Sequence, residues 1–282
     1  MKVYHRKNDL ETYLERQKEM GKKIGFAPTM GALHEGHLSL YHEAKKVNDV
    51  VVSSVFVNPT QFNNAADLEK YPRDVENDIA VLRQSGAVDV LYAPTVSEIY
   101  PEGLKSKQYD FDGLEHEMEG KFRPGHFDGV GTVVETLFRQ VKPDHAYFGE
   151  KDYQQLAIIK KLTEKLNLPI QIHGVPIFRE RNGLAMSSRN QRLTEYQKDA
   201  AKIIYETLQR TNEWFQTISV TEINNRVKEI FEKQDGMVLE YFEISDEATL
   251  KETDSRHDNR SYRAFIVVFV GEVRLIDNLH LD

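Results

Sequence analysis

The chain contains no cysteine, which excludes disulfides, thiolate metal ligands and a cysteine nucleophile, and fits a cytoplasmic setting. Its longest apolar runs, 50–57 and 264–270, fall far short of the ~20 residues a membrane helix requires and suit buried strands instead. Met1-Lys2-Val3-Tyr4-His5-Arg6 leads into charged sequence with no apolar segment, so neither a signal peptide nor a membrane association is expected. Positive charge is the scarcer sign: 37 Lys and Arg against 45 Asp and Glu give a net charge of −8. A surface of that sign disfavours nucleic acid as the main partner, although a local basic pocket can sit within it. Two nucleotide-binding signatures are also missing. No Gly-x-x-x-x-Gly-Lys-Ser/Thr loop occurs, and Gly129-Val130-Gly131 lacks both a third glycine and a preceding strand. A nucleotide, if one binds, must use another turn.

What the 282 residues do contain is an ordinary globular composition, 40% hydrophobic and 29% charged, without low-complexity tracts or internal repeats. That length supports one large domain or two modest ones. Short apolar runs at 24–27, 50–57, 88–92, 146–148 and 170–173 read as strands, and amphipathic segments at 38–47, 74–85, 131–140 and 153–166 as helices. Such alternation predicts an α/β fold, a Rossmann-like doubly wound parallel sheet whose ligands sit beyond the carboxyl ends of its strands. Tyr109-Asp110-Phe111-Asp112 reads as a possible edge strand. Near 175–178 the character changes. Thr194-Glu195-Tyr196-Gln197 matches a capping box opening a helix to about 211, and Thr221 is placed to cap a second helix ending near Gly236. Runs at 239–244, 263–270 and 272–276, with Gly271 at a turn and a polar loop at 252–260, predict a small antiparallel sheet. The division expected is 1–176 and a smaller α+β domain at 177–282.

The stretch that organises the first part is Ala27-Pro28-Thr29-Met30-Gly31-Ala32-Leu33-His34-Glu35-Gly36-His37-Leu38. A strand delivers the chain through a glycine-containing turn to a helix N-terminus, where unpaired N–H groups and the helix dipole favour an anion. His34 and His37 are placed to face one bound group. A zinc-protease helix would need His-Glu-x-x-His, but Leu38 stands where the second histidine should be. Phosphate contact is favoured over a metal or purely structural role. Three other junctions carry chemistry. Asn58 and Gln61 offer neutral amides after the second strand, in a segment that otherwise reads as an Asn-Pro turn. Gly149-Glu150-Lys151-Asp152 brings an ammonium to a strand end, with Gly149 easing the turn and Asp152 at the cap position; the plainer reading is a solvated helix start. Ser187-Ser188-Arg189 combines hydroxyls with a guanidinium suited to phosphate; its plainer reading is a surface loop that caps the next helix.

Together these stretches resemble the pantoate–β-alanine ligase (pantothenate synthetase) family, within the nucleotidyltransferase superfamily that includes class I aminoacyl-tRNA synthetases. His34-Glu35-Gly36-His37 resembles that superfamily's HIGH motif, and Met186-Ser187-Ser188-Arg189 stands where its KMSKS motif would. Asn58-Pro59-Thr60-Gln61-Phe62, Tyr71-Pro72-Arg73-Asp74, Arg123-Pro124-Gly125-His126-Phe127-Asp128-Gly129-Val130, the run 148–156 and the run 183–190 come in family order. They span roughly the first two-thirds of the chain. Asn63-Asn64-Ala65-Ala66 and Gln191-Arg192 depart from the family pattern. The resemblance implies ATP-dependent joining of pantoate to β-alanine through a pantoyl adenylate, with release of AMP and pyrophosphate, and Mg²⁺ on the phosphates. It implies an ATP site at Met30, Gly31, Ala32, Leu33, His34, Glu35, Gly36, His37, Gly149, Glu150, Lys151, Asp152, Phe178, Met186, Ser187, Ser188 and Arg189. The catalytic set would be His34, His37, Lys151, Ser187, Ser188 and Arg189, with His37 a proposed acid. Gln61 and Gln155 would hold pantoate, with Asn58 beside them; no metal ligand is identified. A homodimer is implied, with 1–176 binding ATP and pantoate and 177–282 acting as a lid hinged near Phe178. Rival readings are another adenylyl-transferring enzyme, a nucleotide-sensing protein with a decayed site, and a metal hydrolase.

Overall fold

The computed structural model describes residues 1–62, 68–69 and 71–282; Asn63-Asn64-Ala65-Ala66, where the sequence departs from the family pattern, lies outside the described residues. The chain forms two compact units, Met1–Pro176 and Ile177–Asp282.

The first unit is built on a parallel sheet of strands β1 (Lys2–Tyr4), β2 (Ile24–Thr29), β3 (Val50–Val55), β4 (Val90–Tyr92), β5 (His145–Gly149) and β6 (Gln171–Val175), in spatial order β1-β4-β3-β2-β5-β6. Its longer helices are α1 (Lys7–Glu19), α2 (Glu35–Lys45), α3 (Val75–Ser85), α4 (His126–Val141) and α5 (Tyr153–Lys165). Alternation along each strand sends neighbouring side chains to opposite faces. Ala27 of β2 joins Leu38, Tyr41 and Ala44 of α2 in one buried cluster. On the other face, the Phe26 ring lies 6.3 Å from Phe138 of α4, which also meets Phe148 of β5. Helices on both faces make the sheet doubly wound.

Several expectations need correction. Tyr109–Asp112 is not a strand, because its backbone donors are taken by side chains: the Tyr109 N–H by Asp128 and the Phe111 N–H by Glu115. Neither β1 nor α1 was expected; β1 has three residues, and only Leu10 and Leu14 of α1 are buried, too sparse a stripe to stand out. Helix α4 begins five residues early, at His126 rather than 131.

In the second unit, helices α6 (Glu195–Ala200), α7 (Lys202–Phe215) and α8 (Val220–Glu232) precede an antiparallel sheet of β7 (Met237–Asp246), β8 (Tyr262–Val270) and β9 (Val273–Leu281), ordered β7-β8-β9. The Thr194–Gln197 capping box is present, but the helix it opens is interrupted at Ala201. Ser219, not Thr221, caps α8, its hydroxyl accepting the Glu222 N–H. Ile204 and Leu208 of α7, Ile223 and Val227 of α8, and Ile266 and Val268 of β8 share a buried core. Gly271 stands in the two-residue turn between β8 and β9. Among the described residues no helix is long and apolar enough to cross a membrane.

Candidate active site

The strand order fixes where a ligand can enter. From β2 the chain moves outward through β3 to β4, then returns to place β5 on the other side of β2. The reversal lies between β2 and β5, and the crevice at their carboxyl ends is the expected binding place in such a sheet. The turn after β2 carries His34 and His37, the turn after β5 carries Lys151, and β3 runs on towards Asn58 and Gln61.

The turn after β2 has two successive left-handed residues, Gly31 (φ +85°) and Ala32 (φ +53°). A Cβ at position 31 would lie 2.7 Å from Asp78 Oδ2 and 3.1 Å from Val55 Cγ1, so both backbone and space demand glycine. Ala32 is held in its strained conformation from α3. The Asp78 carboxylate, 1% exposed, accepts the N–H groups of Ala32 (3.1 Å) and Leu33 (2.8 Å). Burial pushes the Asp78 carboxyl up from its ordinary value, while those two hydrogen bonds act in the opposite direction. Asp78 was missed in the sequence; an acidic residue in the first turn of an amphipathic helix reads simply as a favourable helix start.

His34 and His37 cap α2 and one another. The Gly36 N–H donates to His34 Nδ1 (3.1 Å) and the His34 N–H to His37 Nδ1 (3.3 Å), with the ring centroids 4.1 Å apart. A backbone N–H can only donate, so each Nδ1 accepts and each neutral ring carries its proton on Nε2. Burial, reinforced by the Lys151 ammonium, lowers His34 from 6.5 to about 4. Burial, then His34 and Lys151, holds His37 well below the usual histidine range. The pair is therefore two neutral Nε2–H donors near a lysine. This narrows the expectation of unpaired backbone N–H groups. Those of Ala32, Leu33, His34 and Gly36 are engaged by side chains, and that of His37 by the His34 carbonyl (2.8 Å). Imidazoles and the ammonium, rather than a backbone nest, are what this turn offers an anion.

The other expected residues divide. Met30 and Gly36 are half-buried in the same turn and Glu35 opens α2 exposed, but the Leu33 side chain is spent in the core. Gly149 ends β5 with φ −73°, an ordinary conformation, so it does not ease the turn as expected; a Cβ there would meet no atom within 4 Å. Glu150, Lys151 and Asp152 form a single 3₁₀ turn, and Asp152 precedes α5 without the expected side-chain cap. Gln155 is half-buried in the first turn of α5. Its neighbour Gln154 is buried and bonded to the Glu119 N–H and the Leu114 and Glu117 carbonyls, a structural role. Asn58 and Gln61 are joined by an amide–amide hydrogen bond of 3.2 Å.

Phe178, Met186, Ser187, Ser188 and Arg189 belong to the second unit. The Met186 N–H donates to the Phe178 carbonyl (3.0 Å) and Arg179 bridges Ala185, closing a small hairpin. The Arg179 guanidinium grips Asp277 of β9 with both nitrogens, at 2.7 and 3.0 Å, and stacks 3.7 Å from the Tyr205 ring centroid. Beyond the hairpin the Ser187 hydroxyl accepts the Arg189 N–H (3.3 Å), Ser188 is buried, and Asn190 ties Glu180 to the Ala185 carbonyl. Gln191 and Arg192 continue the same 3₁₀ turn. Among the described residues, no group of three or more His, Cys, Asp or Glu is arranged to hold a metal ion.

Comparison with known proteins agrees with this fold. The pantothenate synthetase of Flavobacterium psychrophilum is 52% identical over 281 residues, all of both chains, and that of Aquifex aeolicus 44% identical over 98% of this chain and 97% of its own. Among solved structures, pantothenate synthetase from Thermus thermophilus superposes with a TM-score of 0.90 at 40% identity, covering 99% of each chain. Pantoate–beta-alanine ligase from Francisella tularensis, complexed with beta-gamma ATP and beta-alanine, gives 0.81 at 38% identity, covering 99% of this chain and 97% of its own. The family model for pantoate–beta-alanine ligase matches residues 2–280, and the chain belongs to that family.

Proposed function

We propose that this chain joins pantoate to β-alanine at the expense of ATP, through a pantoyl adenylate, with release of pyrophosphate and then AMP. The observation that carries the assignment of roles is the paired Nε2–H imidazoles beside Lys151 at the point where the strand order reverses. A carboxylate is a poor acyl donor. Its oxygen first attacks the α-phosphorus, and the bond to the pyrophosphate oxygen breaks; the β-alanine amine then attacks the activated carbonyl, losing a proton as AMP leaves. Catalysis of such a step is mostly positioning and stabilisation of charge on phosphoryl oxygens. His34 and His37 serve as neutral hydrogen-bond donors and Lys151 as the cation. A ring that is already neutral has no imidazolium proton to give, so the acid role implied for His37 by resemblance is replaced by hydrogen-bond donation.

Gln61 and Gln155 hold pantoate in this reading, and Met30, Gly31, Ala32, Glu35, Gly36 and Gly149 to Asp152 line the ATP site. Residues 1–176 act as the ATP- and pantoate-binding domain. Residues 177–282 act as a lid that turns near Phe178 and supplies Met186, Ser187, Ser188 and Arg189 to the phosphates, shielding the adenylate from water. Mg²⁺, carried in with ATP, would neutralise phosphate charge. The family relationship supports a cytoplasmic homodimer whose partners are small molecules rather than nucleic acid or membrane.

Exchange of labelled pyrophosphate into ATP, measured with and without pantoate and in the absence of β-alanine, tests the reading. Exchange that requires pantoate is expected. Exchange independent of pantoate, or none in a preparation that binds ATP, would overturn it. Arg189→Ala and Ser187→Ala should weaken exchange; unchanged exchange in both would remove the second unit from the phosphate site.

A further inference from the structure

The segment Arg123-Pro124-Gly125-His126-Phe127-Asp128-Gly129 has no part in the proposed chemistry, yet its polar groups converge on Gln61. The Gln61 backbone carbonyl accepts from His126 Nδ1 (2.9 Å) and from the Arg123 guanidinium (3.2 Å). Three residues on, the Gly129 carbonyl accepts from Asn58 Nδ2 (3.1 Å). A Cβ on Gly129 would stand 2.8 Å from the Thr60 carbonyl oxygen and 2.9 Å from the Gln61 nitrogen, so glycine alone permits this approach.

That one carbonyl sets a direction of hydrogen bonding. It can only accept, so the Asn58 amide must turn its NH₂ towards it and its Oδ1 away. The Oδ1 then accepts from the Tyr100 hydroxyl, while Thr60 Oγ1, 3.1 Å from that Oδ1 and 2.9 Å from the Tyr100 hydroxyl oxygen, has one proton to share between them. Tyr100 is 6% exposed and burial pushes its hydroxyl up, so it keeps the proton it donates. The second N–H of Asn58 goes to Gln61 Oε1 (3.2 Å). With its oxygen held towards Asn58, Gln61 turns its NH₂ the other way, and its Nε2 rests 3.1 Å from the sulfur of Met30. A thioether is a weak acceptor that a substrate oxygen readily replaces.

We propose that the relay from the Gly129 carbonyl and the Tyr100 hydroxyl, through Asn58, locks Gln61 as a hydrogen-bond donor and so tunes the acid site to an acceptor oxygen of its substrate. Tyr100 and Thr60 are positioning residues. Asn58 belongs with them rather than with the direct substrate ligands, because both its N–H donors are in use and its oxygen faces the Tyr100 and Thr60 hydroxyls. This rests on the reading that Gln61 holds the acid.

The test is pantoate-dependent pyrophosphate exchange by the full chain carrying Tyr100→Phe and Thr60→Val, singly and together, with Gln61→Ala alongside. Removing both hydroxyls should raise KM for pantoate about tenfold, the worth of one well-placed hydrogen bond, and leave KM for ATP within about twofold. Each single change should have a smaller effect in the same direction; should the double variant not fold, the singles carry the comparison. If Gln61→Ala leaves KM for pantoate unchanged, Gln61 is not a substrate ligand and the relay falls with it. If Gln61→Ala raises KM for pantoate but the hydroxyl variants do not, or raise both KM values alike, the relay alone is overturned.

Discussion

Asp78 shows how a residue remote in sequence can set the chemistry of a loop. Its carboxylate holds two successive N–H groups of the turn between β2 and α2, stabilising a left-handed Ala32 that would otherwise cost of order 1–3 kcal/mol. Asp78→Asn keeps the shape but sets an NH₂ against one of those donors. We expect a loss of about 1–3 kcal/mol in stability and a rise of about tenfold in KM for ATP with little change for pantoate; an unaltered KM for ATP would separate Asp78 from the nucleotide turn. The histidines were legible in the sequence because a strand, a glycine turn and a helix start are contiguous signals. Asp78, Tyr100 and the reciprocal use of the two Nδ1 atoms were not, since each depends on a partner fixed only by folding or on which ring nitrogen meets a backbone N–H. The same limit explains Asn58: its amide was readable, but the Gly129 carbonyl that occupies it lies 71 residues away.

At the scale of elements, the parallel sheet was legible because the buried strands are near-continuous apolar runs and the intervening helices carry a 3.6-residue period. What escaped was set by context. Ala201 interrupts a segment whose periodicity is unbroken, and Tyr109–Asp112 has strand-like composition but gives its backbone donors to acidic side chains. The hairpin leading to Ser187 likewise depends on a distant tie. Arg179 and Asp277 form an ion pair with side chains only 16% and 2% exposed, and removing one partner of such a pair leaves a buried charge, typically costing about 3–5 kcal/mol. Arg179→Ala should therefore destabilise the second unit by that order. Trp214 of α7, the single tryptophan in the chain, lies against this unit's core and reports on it directly. A urea midpoint by Trp214 fluorescence equal to that of the unaltered protein would show that the hairpin is held otherwise.

For the whole molecule, the acid sensitivity falls unevenly. His34 and His126 are each lowered from 6.5 to about 4, chiefly by burial, with Lys151 and Arg123 respectively adding repulsion, and His37 and His173 are also lowered. All four lie in residues 1–176. A folded-state pKa below the unfolded value means that the unfolded chain binds more protons in the interval between them. The stabilisation is thus complete above pH 6.5 and is lost as pH falls towards 4. Each shift of that size is worth about 3 kcal/mol, with a slope approaching 1.4 kcal/mol per pH unit for each histidine. The raised Asp78 carboxyl acts in the opposite sense, favouring the folded state as it takes up its proton. His34 and His126 outweigh it as a pair, since both titrate over that interval against the single carboxyl of Asp78. The expected outcome between pH 7 and pH 4.5, followed by circular dichroism with Trp214 fluorescence reporting the second unit for contrast, is a first unit whose thermal midpoint falls steeply below pH 6.5. His126→Gln should flatten that slope by about one proton's worth, since the amide can still donate to the Gln61 carbonyl without gaining a charge. A midpoint independent of pH over that range would mean that these imidazoles are not held neutral by the fold, and the neutral-donor pair at His34 and His37 would have to be abandoned with it.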